Sequence, residues 1–101
     1  MAELLDDAAI DTALTSLTGW ARSDNTLVKA VGVTDDAVDN LTGAIGKAAD
    51  ELNHHPEVTR TAEGLRLVLW THSDGGITSK DVELAARIDQ VISGTVQDPP
   101  S

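Results

Sequence analysis

Imidazole is the side chain whose protonation changes near neutral pH, so grouped histidines can give and take protons where most residues cannot. This chain has three, His54, His55 and His72, and they span only 18 positions (72 − 54 = 18). Pro56 follows the doublet, removes a backbone donor and keeps His55 out of the helical region. Adjacent imidazoles at such a junction can point in different directions. His72 closes a strand-like run at the mouth of the loop Ser73-Asp74-Gly75-Gly76. Asp50 and Asp74 could complete a zinc site, but the doublet lacks the i, i+4 spacing of helical metal motifs. The residues suit metal-free acid–base chemistry, and no metal is expected.

The elements that must hold these side chains can be read from periodicity. Asp7 to Leu17 reads as an amphipathic helix, with Ile10, Ala13, Leu14 and Leu17 on one face. After Gly19, a short strand at Trp20 to Arg22 pairs as a hairpin with the run Leu27 to Val33, across the turn chemistry of Ser23, Asp24 and Asn25. Thr34 is a helix N-cap, and Asp35 and Asp36 suit the dipole behind it. Val38, Leu41, Ile45, Ala48, Ala49 and Leu52 then mark the clearest helix, ending near Leu52 or Asn53. Gly43 and Gly46 inside it are read as places of close approach to a sheet. Glu57 to Thr61 and Leu65 to His72 are strands joined by a turn at Ala62, Glu63 and Gly64, with Leu65, Leu67 and Leu69 on one face. A last helix begins near Thr78 or Ser79 and carries Leu84, Ala85, Ile88, Val91 and Ile92. The order α-β-β-α-β-β-α predicts an α+β fold, a four-stranded antiparallel sheet with three helices packed on one face. Residues 1–96 are expected to form a single domain and 97–101 a flexible tail.

Composition narrows the function classes. Seven basic residues against seventeen acidic ones give a formal charge of −10, which disfavours nucleic acid and anionic membrane surfaces. The absence of Cys excludes disulfides, thiolate zinc sites and cysteine nucleophiles. The opening MAELLDDAAID is acidic without a long apolar run, so neither a signal peptide nor a membrane span is expected, and a cytoplasmic location is. Two Trp are the only aromatic rings besides the imidazoles, so the core must be aliphatic. Association into homodimers or homotetramers is expected to add burial to so small a core.

The residues DELNHHP at 50–56, TH at 71–72, GGIT at 75–78 and KDVELAARID at 80–89 stand in a pattern similar to that of the pterin-4a-carbinolamine dehydratases. The interval from His72 to Asp81 (81 − 72 = 9) fits that family, as do the His54–His72 interval and the GW at 19–20. The doublet alone is a weak signal; the combined spacings are specific, and the resemblance runs from about Leu14 to Val91.

The resemblance implies a hydro-lyase that dehydrates 4a-hydroxytetrahydropterin to quinonoid dihydropterin and so recycles the cofactor of aromatic amino-acid hydroxylases. Hydroxide leaves C4a and a proton leaves N5, which needs an acid and a base but no cofactor. By matching positions, His54 and His72 are the acid–base pair and His55 binds or orients the hydroxyl. Asn53, Pro56, Trp70, Thr71 and Ser73 are implied substrate contacts. Asp50 and Asp81 are supporting residues, Asp81 at N3 of the last helix, where it can serve as a cap. The same resemblance also allows a non-catalytic interaction module, since family members serve as dimerisation or assembly partners.

The chain departs from the pattern at two aromatic positions, which hold Val58 and Ala62, and in the aliphatic second strand LVKAVGV. A missing ring that contacted the pterin would weaken binding by on the order of 1 kcal/mol. A missing ring that only packed core or interface would leave activity intact.

Overall fold

A computed structural model describes residues 4–17 and 19–95. The chain forms α1 (Asp7–Leu14), β1 (Trp20–Ser23), β2 (Thr26–Gly32), α2 (Asp35–Leu52), β3 (Glu57–Thr61), β4 (Gly64–Leu69) and α3 (Ser79–Thr95). The expected α+β order is present, and the four strands make one antiparallel sheet in the order β1-β2-β4-β3. The tail expected at 97–101 lies outside the described residues.

Register places the core. Leu27 pairs with Leu69, Lys29 with Leu67 and Val31 with Leu65, so these side chains share one face of the sheet. The leucines and Val31 pack with Ile10 of α1, with Val38, Leu41, Ile45 and Ala49 of α2, and with Leu84, Ala85 and Ile88 of α3. All three helices thus cover the same face. Trp20 and Lys29 also lie on it, and both donate to Asp89 Oδ1 on α3, at 2.8 and 2.9 Å. That junction ties the first hairpin to the last helix.

Three expectations need correction. Helix α1 stops at Leu14 rather than Leu17. There the Ser16 and Leu17 amides bond to carbonyls three residues back, and the Thr15 hydroxyl bonds Thr12 O, which tightens and ends the helix. Strand β4 ends at Leu69 rather than His72, because β2 offers partners only to Leu69 and β3 only to Val68. Pro56, just ahead of β3, has no N–H to extend that ladder. Gly43 and Gly46 do not mark close approach: a Cβ at either would meet nothing within 4 Å. Gly64 is the glycine with a steric reason. Its φ is +150°, and a Cβ there would collide with the Val31 carbonyl on the neighbouring strand.

Both helix ends next to the histidines are shaped by local chemistry. Thr34 is the N-cap of α2, although its side chain makes no capping bond. At the other end Asn53 takes a left-handed conformation (φ 52°), which Asn tolerates better than most residues. The Asn53 amide then donates to Asp50 O and the His54 amide to Ala49 O, closing the helix and bringing His54 against α3.

Candidate active site

The end of α2, the segment after β4 and the first turn of α3 meet around a cleft of about 440 Å3, lined by Asn53, His54, His55, Thr71, His72, Ser73 and Lys80. That volume falls within the range of small-molecule pockets, roughly 300–1,000 Å3. Six of the residues anticipated from the sequence are therefore brought to one wall. Pro56 is half-buried and does not line the cleft, and neither does Trp70. Trp70 instead backs His72, with ring centroids 4.3 Å apart and a 36° tilt.

Asp81 lies beneath the cleft, fully buried, and organises it. Its Oδ2 accepts the Thr78 amide and the Thr71 hydroxyl, both at 2.9 Å. Thr78 Oγ1 accepts the Lys80 amide at 3.2 Å, so Thr78 and Asp81 form the reciprocal cap of α3 expected for an N3 carboxylate. The Thr71 hydroxyl has one proton and gives it to Asp81, so the Thr78 hydroxyl donates across the 2.7 Å Thr71–Thr78 contact. The remaining oxygen, Asp81 Oδ1, sits 2.6 Å from His54 Nε2. Capping and histidine support are thus two uses of one carboxylate.

This network selects a histidine tautomer. With Asp81 ionised, its carboxylate only accepts, and a neutral His54 then carries its proton on Nε2 and keeps the Nδ1 lone pair. No described residue bonds to that Nδ1. The His54 side chain is only 12% exposed, so water competes weakly for this contact. His55 Nε2 makes a similar 2.7 Å contact with Asp50 Oδ1, but there both partners are well exposed. His72 has no carboxylate partner among the described residues and relies on Trp70 for its orientation.

Lys80 was not anticipated. A signal existed: a cation in the first turn of a helix opposes the preference set by the helix dipole. Among the described residues, no group of three or more His, Cys, Asp or Glu side chains is placed to hold a metal ion. A larger hollow of about 570 Å3 lies between α1 and α3, lined mainly by Leu5, Ala8, Ala9, Ala13 and Val82, and it contains no histidine.

Comparison with known proteins decides the family. The family model described as pterin 4 alpha carbinolamine dehydratase matches residues 3–91. The chain belongs to that family. A Mycobacteroides abscessus protein, provisionally named a pterin-4-alpha-carbinolamine dehydratase, is 40% identical over 91 residues, covering 88% of this chain and 96% of the relative. A Roseiflexus castenholzii protein with the same provisional name is 37% identical over 94 residues, covering 91% of this chain and all of the relative. Among solved structures, a Brucella melitensis protein described as a transcriptional coactivator/pterin dehydratase superposes with a TM-score of 0.80 at 24% identity, over 86% of this chain and 96% of that one. That likeness concerns the fold. No helix among the described residues of this pterin carbinolamine dehydratase family member is long and apolar enough to cross a membrane.

Proposed function

We propose that the chain is a hydro-lyase converting 4a-hydroxytetrahydropterin to quinonoid dihydropterin by histidine acid–base catalysis, in the recycling of a pterin cofactor in the cytoplasm. The observation that carries this reading is the 2.6 Å contact between the buried Asp81 Oδ1 and the largely shielded His54 Nε2, within a cleft shared by His55 and His72. It leaves an imidazole nitrogen that can accept a proton and a carboxylate to stabilise the cation formed.

His54 Nδ1 takes the proton from N5. The N–H electron pair becomes the N5=C4a bond, and the C4a–O bond breaks. His72, protonated, delivers its proton to the departing oxygen, which leaves as water. His55, held by Asp50, orients the hydroxyl. Each positioned acid or base supplies about 10²–10⁴-fold in rate. Asn53 and Ser73 contribute polar groups along the wall on which the pterin ring rests, while Thr71, its hydroxyl shared between Asp81 and Thr78, lends support from behind.

A second reading, a non-catalytic interaction module, rests on the sheet face opposite the helices, where Val28 and Val68 pair across β2 and β4. Homodimers or homotetramers would cover such a face, and sedimentation of the purified protein tests that assembly. The decisive assay follows the decay of freshly generated 4a-hydroxytetrahydropterin with and without folded protein. Acceleration over buffer supports the hydro-lyase; decay at the buffer rate sinks it and leaves the interaction module.

A further inference from the structure

Lys80 stands in the wall of the histidine cleft, exposed, and forms no ion pair among the described residues. Arg22, Lys29, Arg60 and Arg87 each hold a carboxylate. Lys47 and Arg66 also lack an ion pair among the described residues, but neither lines the cleft. Of the acids near Lys80, Asp81 and Asp50 are committed elsewhere, and Glu83, one turn on along α3, forms no ion pair with it. Asp81 holds His54, Thr71 and the Thr78 amide, and Asp50 holds His55. Asp74, next to Ser73, has its Oδ2 buried without a partner rather than turned to the lysine. In a chain with seventeen acidic residues and seven basic ones, the cleft retains a cation that no described acid neutralises. The cation also sits at the positive end of α3, where the helix dipole works against it.

We propose that Lys80 binds a phosphate monoester on the side chain the pterin carries at C6, so that this cleft prefers phosphorylated pterins to neutral ones. The inference rests on the pterin reading above and names the substrate class within it. N5 is bonded to both C4a and C6, so a ring whose C4a–N5 bond meets the histidines presents its C6 substituent beside them. A substituent running from there toward solvent meets the exposed Lys80. A lysine ammonium binds phosphate as a compact point charge. The net charge of −10 repels anions overall, so a preference for an anionic pterin requires a local cation.

The test is calorimetric titration of the full chain with 7,8-dihydroneopterin and with its 3′-monophosphate at low ionic strength. The monophosphate is expected to bind about tenfold more tightly, with the advantage shrinking as salt is added. Lys80→Gln should bring the ratio to about one or below, and Lys80→Arg should preserve it, since only the local charge opposes the protein's field. Equal affinities in the unmodified chain, or a ratio that survives Lys80→Gln, overturn the proposal while leaving the pterin reading in place. Failure of both ligands to bind overturns the two together.

Discussion

Asp81 Oδ1 lies 2.6 Å from His54 Nε2, and the two residues are 27 positions apart in the chain. The contact is directional in a way that an amide cannot copy. An amide in place of this carboxylate has one acceptor end and one donor end. With its carbonyl toward His54, its NH2 would face the Thr78 amide, which can only donate, and the Thr71 hydroxyl, which would have to turn its proton away. Turned the other way, the NH2 would meet Nε2 and force the imidazole proton onto Nδ1, the nitrogen proposed as base.

Asp81→Asn is therefore expected to lower kcat by about 10²–10⁴-fold, as loss of one acid–base group does. It should also destabilise the fold by about 1–3 kcal/mol through the mismatched cap. His54→Ala should give the kcat loss with a comparable stability loss, because the buried Asp81 Oδ1 loses its partner while the cap of α3 stays intact. The dehydration assay and urea unfolding, run on both variants, separate the two effects. A normal kcat in Asp81→Asn would refute the tautomer role.

The missing aromatic rings do not belong to the wall of this cleft. Val58 is half-buried and packs against the aliphatic core. Ala62 is exposed in the turn beyond β3, roughly 20 Å along the strand from Pro56 at about 3.3 Å per residue. Ala62→Tyr is expected to change kcat/KM by no more than about twofold, as for other surface substitutions. A tenfold or greater gain would mean that this turn reaches the substrate, for instance from a neighbouring copy.

Gly43 on α2 is exposed, and a Cβ there meets nothing within 4 Å. Alanine restricts the unfolded chain more than glycine and suits a helix better. Gly43→Ala should stabilise the protein by about 0.5–1 kcal/mol. A thermal melt should rise by about 5 °C for a domain of this size. A fall in Tm would show that something packs on this face of α2.

Asp89 joins Trp20 Nε1 and Lys29 Nζ through one oxygen, with the lysine and aspartate side chains 15% and 25% exposed. Asp89→Ala should destabilise by about 1–3 kcal/mol, because the indole N–H, largely shielded from water, loses its acceptor. Urea unfolding followed by Trp fluorescence reads the change. A loss below about 0.5 kcal/mol would show that solvent replaces the carboxylate freely.

Much of the architecture was written locally. The spacing of Val38, Leu41, Ile45 and Ala48 defines α2, and all four are buried. Asp24 turns the first hairpin with a positive φ, as its side chain type suggests. The Thr78 and Asp81 spacing announces the cap that begins α3. These are interactions between near neighbours, so residue type and interval specify them.

What tertiary structure alone decided depends on partners far along the chain. The end of β4 is set by where β2 and β3 begin and not by the residues of β4, which continue to favour a strand through His72. The outward rotation of Gly43 depends on which stripe of α2 meets the sheet. The histidines could be recognised by sequence, but their inequality could not. His54 is held by a buried carboxylate and His55 by an exposed one, while His72 rests on an indole, because α3 carries Asp81 beneath one ring only. Lys80 became a cleft residue for the same reason: the first turn of α3 docks against the end of α2.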